Sequence, residues 1–487
     1  MSEEILINVT PQETRIAIVE NGVLQEVHVE RASNRGIVGN IYKGKVVRIL
    51  PGMQAAFIEI GLKRTAFLHA ADVLVPEATK NGQSEPPPIN EMLREGQDAL
   101  VQVLKDPLGT KGARLTMNIS LPARHLVYLP SSNHIGVSQK IEDDETRERL
   151  REIVKSAVED GEHGGFILRT MAENATEEEL KVDIRYLRKT WDRVKASIDK
   201  IPVSTLAHED LPLALRAMRD IVSSDTEQVR IDSREMFQKA KEFVCEFIPE
   251  LEDRIQYYPG ERPIFDLYSV EDEIQKALER KVPLKSGGHL IFDQTEAMTT
   301  VDVNTGAYVG RRNLEETLLK TNLEAAQAIA RQLRLRNLGG IIIIDFIDMN
   351  DDEHKRMVMR TLEKWITRDR SKVQLTQMSQ LGLIELTRKR TRESLERVLC
   401  EPCMVCGGRS MLKTAQTVCF EIFREILREA RQFGGDKYLV IGSQSVIDLL
   451  LDEEAEGLEK LQEFIGKPIN LQVESLYHPE QYDVVLV

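Results

Sequence analysis

Gly339-Gly340-Ile341-Ile342-Ile343-Ile344-Asp345-Phe346-Ile347-Asp348 reads as a strand that ends in two carboxylates. The four isoleucines fit a strand buried within a sheet, and apolar packing gives no reason for acids at its carboxyl end. Upstream, Ala297-Met298-Thr299-Thr300-Val301-Asp302-Val303-Asn304 repeats the pattern. The two-residue alternation of a strand puts Asp302 and Asn304 on one face. Between the two strands the spacing predicts a helix. Asn313 can cap it with Glu316 three positions on, Leu318, Ala325, Ala326, Ile329 and Leu333 form its apolar stripe, and Gly339-Gly340 ends it. Strand–helix–strand units make their strands parallel neighbours, so Asp302 and Asp345 are expected together at one edge of a sheet.

Oxygen ligands on rigid strands suit a hard cation. Mg2+ in particular is usually held by one or two carboxylates, with water and substrate phosphate completing its octahedron. No His-rich or Cys-rich set sits nearby to favour zinc. Asp302 and Asp345 are therefore read as metal ligands, while Asp348 fits equally well as a ligand or as a cap for the turn Met349-Asn350-Asp351-Asp352.

Composition frames this site. A chain of 487 residues exceeds one ordinary core, so three or more domains are expected, and 41% hydrophobic with 30% charged residues indicates a soluble globular protein. No apolar run reaches the roughly 18 residues of a membrane helix. The acidic start Met1-Ser2-Glu3-Glu4 lacks the basic region of a secretion signal, which points to the cytoplasm. Five cysteines (Cys245, Cys400, Cys403, Cys406, Cys419) are too few for a disulfide framework in a chain this long. A net charge of −14 excludes a uniformly basic coat, yet Arg388, Lys389, Arg390 and Arg392 fall together, as a solvated face or a local patch.

Along the chain, Ile5 to Val9, Arg15 to Glu20 and Leu24 to Val29 alternate like an antiparallel meander. From about Gly36, short strands divided by glycine turns follow: Gly39 to Leu50, Gly52 to Gly61 and Ala66 to His69. Their spacing resembles an OB-fold of the ribosomal S-one type. In such barrels exposed aromatics stack bases and basic groups follow the backbone. Phe57 and Phe67 are the candidate stackers, and Lys43, Lys105, Lys111 and Arg114 the candidate phosphate contacts. On local sequence alone, the barrel core is the default place for both rings. Ser84-Glu85-Pro86-Pro87-Pro88 reads as a surface loop. Further on, strands near Leu126 to Leu129 and Phe166 to Thr170 flank a helix from Glu145 to Val158, and Glu177 to Ala196 reads as a second helix. Arg169 and Thr170 set a guanidinium and a hydroxyl side by side at a strand end, suited to a phosphate, although local sequence favours a plain surface arginine. Residues 213–280 read as mainly helical with a short strand near Val229 to Asp232, and the last unit carries strands near Tyr438 to Ile441, Ile469 to Val473 and Asp483 to Val487.

Cys400-Glu401-Pro402-Cys403-Met404-Val405-Cys406-Gly407-Gly408 carries CxxC spacing, which lets neighbouring thiolates grip one zinc through a tight turn. A structural zinc wants four ligands, and no second CxxC follows. Three solutions stay open: two chains each give Cys403 and Cys406, Cys400 serves as a third ligand in one chain, or the thiols stay reduced without metal.

Four motifs, in order, carry a resemblance across essentially the whole chain: Gly36-Ile-Val-Gly-Asn-Ile-Tyr-Lys-Gly44, Thr299-Thr-Val-Asp-Val-Asn304, Ala330-Arg-Gln-Leu-Arg-Leu-Arg-Asn-Leu-Gly-Gly340 and Ile344-Asp-Phe-Ile-Asp-Met349. The sequence resembles the bacterial ribonuclease E/G family, nearer its G than its E branch, since the long tail of the E branch has no counterpart. The resemblance implies a multidomain α/β and α+β fold. Its parts would be an RNase H-like subdomain (1–35 and 213–280) split by an inserted OB-fold (36–117), a 5' sensor region (118–212), a DNase I-like catalytic subdomain (281–398), a zinc link (399–410) and a small C-terminal dimerisation domain (411–487). By matching motif, Asp302 and Asp345 bind the catalytic Mg2+ and Asn304 orients that site. Phe57, Phe67 and Lys111 grip RNA, Val127, Arg169 and Thr170 sense a 5'-monophosphate, and Cys403 with Cys406 share Zn2+ between two chains. Ser410 replaces the glycine that usually closes the knuckle, Met404 departs from the pattern, and Cys400 is additional.

The expected chemistry is metal-assisted hydrolysis of single-stranded, A/U-rich RNA, leaving a 5'-phosphate and a 3'-hydroxyl. The resemblance suggests 5'-end maturation of 16S rRNA precursor and mRNA turnover by a cytoplasmic homodimer without membrane attachment; whether dimers pair further is left open. A non-catalytic RNA-binding protein is the competing class, and intact Asp302, Asn304 and Asp345 count against it. A small-molecule phosphatase is disfavoured by the barrel.

Overall fold

The computed structural model describes residues 2–33, 35–74, 87–107, 111–141, 143–158, 163–223, 225–306, 314–379, 381–390, 392–433 and 436–487. The chain forms two compact units, Met1–Val398 and Leu399–Val487. The expected cap Asn313 and most of the proline-rich loop (84–86) lie outside the described residues.

In the first unit, alternating apolar residues build the antiparallel strands Glu3–Val9, Glu13–Glu20 and Val23–Arg31. Thr226–Ile231 then returns to pair in parallel with Glu3–Val9, and Ile255–Tyr257 extends the edge. Ile5, Ile7, Ile16 and Ile18 pack against Ala217, Met218, Ala240 and Val244 of the helices Leu213–Asp220 and Arg234–Phe247.

Between those sheet strands the chain inserts a barrel. Ile41–Leu50, Ala55–Glu59, Ala66–His69, Arg114–Thr116 and Asp98–Lys105 pair in that order, and the last closes on the first. Thr205–His208 adds to Ile41–Leu50 from outside. Val46, Ile58, Leu68, Val101, Val103 and Leu115 fill the interior of this closed, OB-like barrel. A four-stranded sheet follows, in the order Ile135–Val137, Gly165–Leu168, Leu126–Leu129, Leu121–Pro122. The helices Asp144–Ala157 and Glu177–Ile198 share its core, the second opened by a reciprocal Thr176–Glu179 capping box.

The sheet that bears the acidic residues has six strands, in the order Lys281–Pro283, His289–Gln294, Met298–Asn304, Gly340–Asp345, Leu383–Arg388, Val373–Leu375. Met298–Asn304 and Gly340–Asp345 are parallel neighbours, as the strand–helix–strand reading requires. The isoleucine run departs from expectation. Ile342 and Ile344 are buried against the helices Leu314–Leu335 and Asp352–Ile366, but Ile341 is 47% exposed. One sheet face is covered by helices and the other is open, so the strand is buried on one face only.

The helix also ends earlier than its glycines suggest. Leu335 is the last helical residue, and Asn337 takes the left-handed φ of 47° that stops it. The buried Asn337 amide is held by the carbonyls of Arg392 and Glu393 and by Arg388. The basic run is stitched into the fold in the same way. Arg388 is buried against Asp369 (2.6 Å), Arg390 donates to the Gly339 carbonyl, and Arg392 reaches His28. Arg388 is thus a buried strut, whereas Lys389, Arg390 and Arg392 remain exposed, the two arginines while bonded to the fold.

In the second unit, helix Ala415–Gln432 shares a core with the helices Gln444–Leu451 and Ala455–Ile465 and with a sheet ordered Ile469–Val473, Tyr438–Gly442, Tyr482–Leu486. Cys419 lies within this core.

Candidate active site

Asp302 and Asp345 stand directly opposite each other on the parallel pair, both exposed on the open face. Strands lie about 4.8 Å apart, so two like charges are forced together where a structural sheet would place a neutral or opposite pair. Burial, then the neighbouring Asp302 and Asp348 charges, raise the Asp345 carboxyl above the usual aspartate range. Asn304, next on the Asp302 face, donates from Nδ2 to Asp302 Oδ2 at 2.7 Å and fixes that carboxylate. The strand end is pressed against a turn: a Cβ on Gly288 would come within 2.6 Å of the Asn304 carbonyl, so only glycine allows the approach.

Asp348 does not cap the turn. Asp351 does, accepting from Glu353 N at 2.8 Å. Asp348 remains an exposed carboxylate whose charge reaches Asp345. The residue that sequence reading missed is Asn322. It is fully buried on the long helix, donates from Nδ2 to the Ile347 carbonyl (2.8 Å) and accepts from Ile347 N (3.1 Å). Both bonds pin the segment between Asp345 and Asp348. An amide interrupting the apolar stripe between Leu318 and Ala325 was the available signal.

On the barrel, Phe57 and Phe67 are cross-strand partners with ring centroids 6.2 Å apart, edge to face. Both are half-buried on the outer surface, while their neighbours Ala56, Ile58, Ala66 and Leu68 point inward. The default core placement is thus overturned by the strand alternation. Successive partners extend the row from Arg48 through Phe57, Phe67 and Arg114 to Lys105. Arg114 is paired with Asp72 at 2.8 Å. Lys111 is exposed beside the row, and its neighbour Gly112 passes so close to Thr65 that a Cβ would lie 2.1 Å from that carbonyl. Lys43 is no phosphate contact, because its Nζ donates to the carbonyls of Ile198 (3.1 Å) and Ile201 (3.4 Å).

Arg169 and Thr170 follow strand Gly165–Leu168, which pairs Ile167 with Val127. Thr170 is exposed, with its hydroxyl 3.2 Å from that of Ser138. Arg169 is not a free surface arginine: its Nη1 donates to the Ala123 carbonyl (2.5 Å) and to Asp220 Oδ1 (2.8 Å). Nearby, His125, Glu179 and Glu250 are the one set of three such groups among the described residues with ligand atoms within 4.8 Å of one another. Arg124 Nε lies 3.6 Å from Glu250, and Glu179 already accepts from Thr176. This set reads as an ion-pair knot in which a guanidinium supplies the positive charge.

Cys403 and Cys406 occupy one tight turn closed by Gly407 N to the Cys403 carbonyl (2.8 Å). Amide N–H groups of Ser410 and Gly408 aim at the Cys406 sulfur and lower its thiol below the usual range, which favours the thiolate a metal needs. Ser410 fills the place of the missing glycine in a left-handed conformation, φ 61°. Burial pushes the Cys419 thiol up to about 11 and leaves it unsuited to ligation.

The sequence profile of the ribonuclease E/G family matches residues 120–391, a span that holds Asp302, Asn304, Asp345 and Arg169. Ribonuclease G of Salmonella typhimurium and that of Escherichia coli K12 are each 52% identical to this chain over the whole of both sequences. The chain belongs to the ribonuclease E/G family. Membership places it among the endoribonucleases. Ribonuclease E of Haemophilus influenzae is 35% identical over 94% of this chain but only 49% of its own length. No helix among the described residues is long and apolar enough to cross a membrane.

Proposed function

We propose that this ribonuclease E/G family member is a Mg2+-dependent endoribonuclease of single-stranded, A/U-rich RNA that prefers 5'-monophosphate ends. The observation that carries the reading is the in-register pairing of Asp302 and Asp345 at adjacent parallel strand ends, with Asn304 bonded to Asp302. Asp302 and Asp345 would hold the cation, whose charge relieves their mutual repulsion. When bound, Mg2+ supplies a sharpened water nucleophile and neutralises charge on the scissile phosphate, giving 5'-phosphate and 3'-hydroxyl products.

The outward Phe57–Phe67 pair suits base stacking, which tolerates many sequences, and the exposed Lys111 beside it suits a phosphate. Arg169 and Thr170, with Val127 on the adjoining strand, are assigned to the 5'-monophosphate. Cys403 and Cys406 are assigned to a Zn2+ shared by two chains in a homodimer. In one chain Cys400, Cys403 and Cys406 do not gather within 4.8 Å as a set, which favours sharing over the intrachain alternative. The N-terminal sheet is read as RNase H-like, interrupted by the barrel, and the six-stranded sheet as the DNase I-like catalytic part. Cytoplasmic maturation of the 16S rRNA 5' end and mRNA decay are the roles that the family suggests.

Incubation of 5'-monophosphorylated, A/U-rich oligoribonucleotides with Mg2+ or EDTA tests the reading. Cleavage should require Mg2+ and should slow on 5'-hydroxyl RNA. Cleavage that persists in EDTA overturns the metal assignment, and equal rates on both ends overturn the 5'-end preference.

A further inference from the structure

Arg169 is anchored through a single nitrogen. Both hydrogens of Nη1 are spent, one on the Ala123 carbonyl and one on Asp220 Oδ1. Among the described residues nothing accepts from Nε or Nη2, and the side chain keeps 27% exposure. Nε and Nη2 form the edge of a guanidinium that binds a phosphate or carboxylate through two parallel bonds. The anchor therefore fixes the plane of the group while leaving its two-pronged edge free.

Asp220 is itself held from the far side. Arg219 Nε lies 3.2 Å from both of its oxygens, and Arg219 Nη2 donates to Oδ2 at 2.9 Å. Arg219, only 5% exposed, also donates from Nη1 to Asp210 Oδ1 at 3.0 Å. Asp210 is tied to the start of the barrel, its N–H donating to Asn40 and its carbonyl accepting from Arg35. Burial opposes ionisation of Asp220, but the Arg219 and Arg169 guanidiniums together hold its carboxyl below the usual range. Asp220 thus stays charged, and Arg219 still compensates it while Arg169 engages a ligand.

We propose that Asp220 is a positioning residue for recognition of the RNA 5' end: buttressed by Arg219 and Asp210, it orients Arg169 so that the Nε–Nη2 edge meets a terminal monophosphate. This inference rests on the assignment of Arg169 to the 5'-monophosphate. A carboxylate beside an anion site would ordinarily repel the ligand. Here the bidentate Arg219 offsets it, and the Ala123 carbonyl adds a second, uncharged restraint to the same nitrogen.

The test is equilibrium binding of two short A/U-rich oligoribonucleotides, identical except for a 5'-monophosphate or 5'-hydroxyl and made cleavage-resistant by 2'-O-methyl riboses. The affinity ratio between the two is the readout, since a general loss of fold or of RNA binding moves both together. Asp220→Asn should lower the ratio roughly tenfold, the size of one lost charge-assisted restraint. Combined with Arg169→Ala it should lower the ratio no further than Arg169→Ala alone. Asp220→Glu, which keeps the charge and the Arg219 pair but extends the carboxylate by one methylene, should also lower the ratio and guards against an unfolded Asn variant. If Arg169→Ala lowers the ratio while the Asp220 variants retain it, the positioning role is wrong and the 5'-end assignment stands. If Arg169→Ala itself leaves the ratio unchanged, the assignment fails and the inference falls with it.

Discussion

Asp302 and Asp345 lie opposite each other in register on an exposed sheet face, so neither is there to stabilise the fold. Replacing either by Asn removes a like-charge clash and a cation ligand together. Asp302→Asn and Asp345→Asn should lower cleavage by several orders of magnitude while RNA binding persists and thermal stability holds or rises. Retained turnover in both variants would remove them from the site. Asn322 makes the opposite prediction, because its amide satisfies two backbone groups in a buried place. Asn322→Leu should cost about 1–3 kcal/mol and weaken cleavage through the displaced Asp345–Asp348 segment. Urea melts paired with Mg2+ titrations of activity check this. The acids were legible in the sequence because charge is unexpected at the end of an isoleucine run, although the strand is buried on one face only. Asn322 left a trace only as an amide in an apolar stripe, because its partners are backbone groups, and Asp220 left none, because Arg169 is remote in sequence.

The helix Leu314–Leu335 is clamped to the N-terminal meander by two arginines, of which Arg331 donates from Nε to the Leu24 carbonyl at 2.9 Å. Arg334 donates to Glu26 Oε1 at 3.0 Å and to Glu20 Oε1 at 2.8 Å, and its own side chain is 6% exposed. Arg334→Ala removes the hydrogen-bonded cation shared by two carboxylates and should cost about 3 kcal/mol of stability, read as a shift of the urea midpoint at unchanged slope. His28, beside Glu26, titrates with the same contact. Burial, then the Arg392 charge, pull its imidazole down to about 4 from 6.5. The unfolded chain takes up this proton before the folded one, so the contribution of His28 is complete above about pH 6.5 and drains away as pH falls towards 4. The loss should approach about 3 kcal/mol, and His28→Gln should flatten the dependence over that window. Strands were the more legible elements: period-two alternation located the meander and the barrel, and even predicts the outward Phe57 and Phe67 once Ile58 and Leu68 are placed inside. The helix end was misread because Gly339-Gly340 is a conspicuous stop, whereas Asn337 becomes the true one through tertiary bonds to Arg388 and the chain after it.

At the scale of the whole molecule, the cysteine turn belongs to the second unit and is predicted to act between chains. Cys403→Ala or Cys406→Ala should release zinc and weaken the dimer, whereas the core residue Cys419 should tolerate Ala without either effect. Metal analysis with sedimentation decides; one zinc per chain, kept on dissociation, would favour Cys400 as a third ligand. Division into several sheets was legible from shifts in pattern along the chain, but sheet membership across long gaps came only through the family resemblance, because nothing in Thr226–Ile231 itself names Glu3–Val9 as its partner. That pairing sets a timetable for synthesis. Glu3–Val9 leaves the ribosome with one edge bare and cannot satisfy it until Ile231 has emerged, after the barrel strands have all been made. The barrel, whose partners are closer in sequence, is free to close first and to hold the waiting edge near its eventual site. Anything that slows elongation between the barrel and Thr226 prolongs the exposure of an apolar strand edge, so low expression temperature and chaperone supply should affect the yield of this chain more than its final stability.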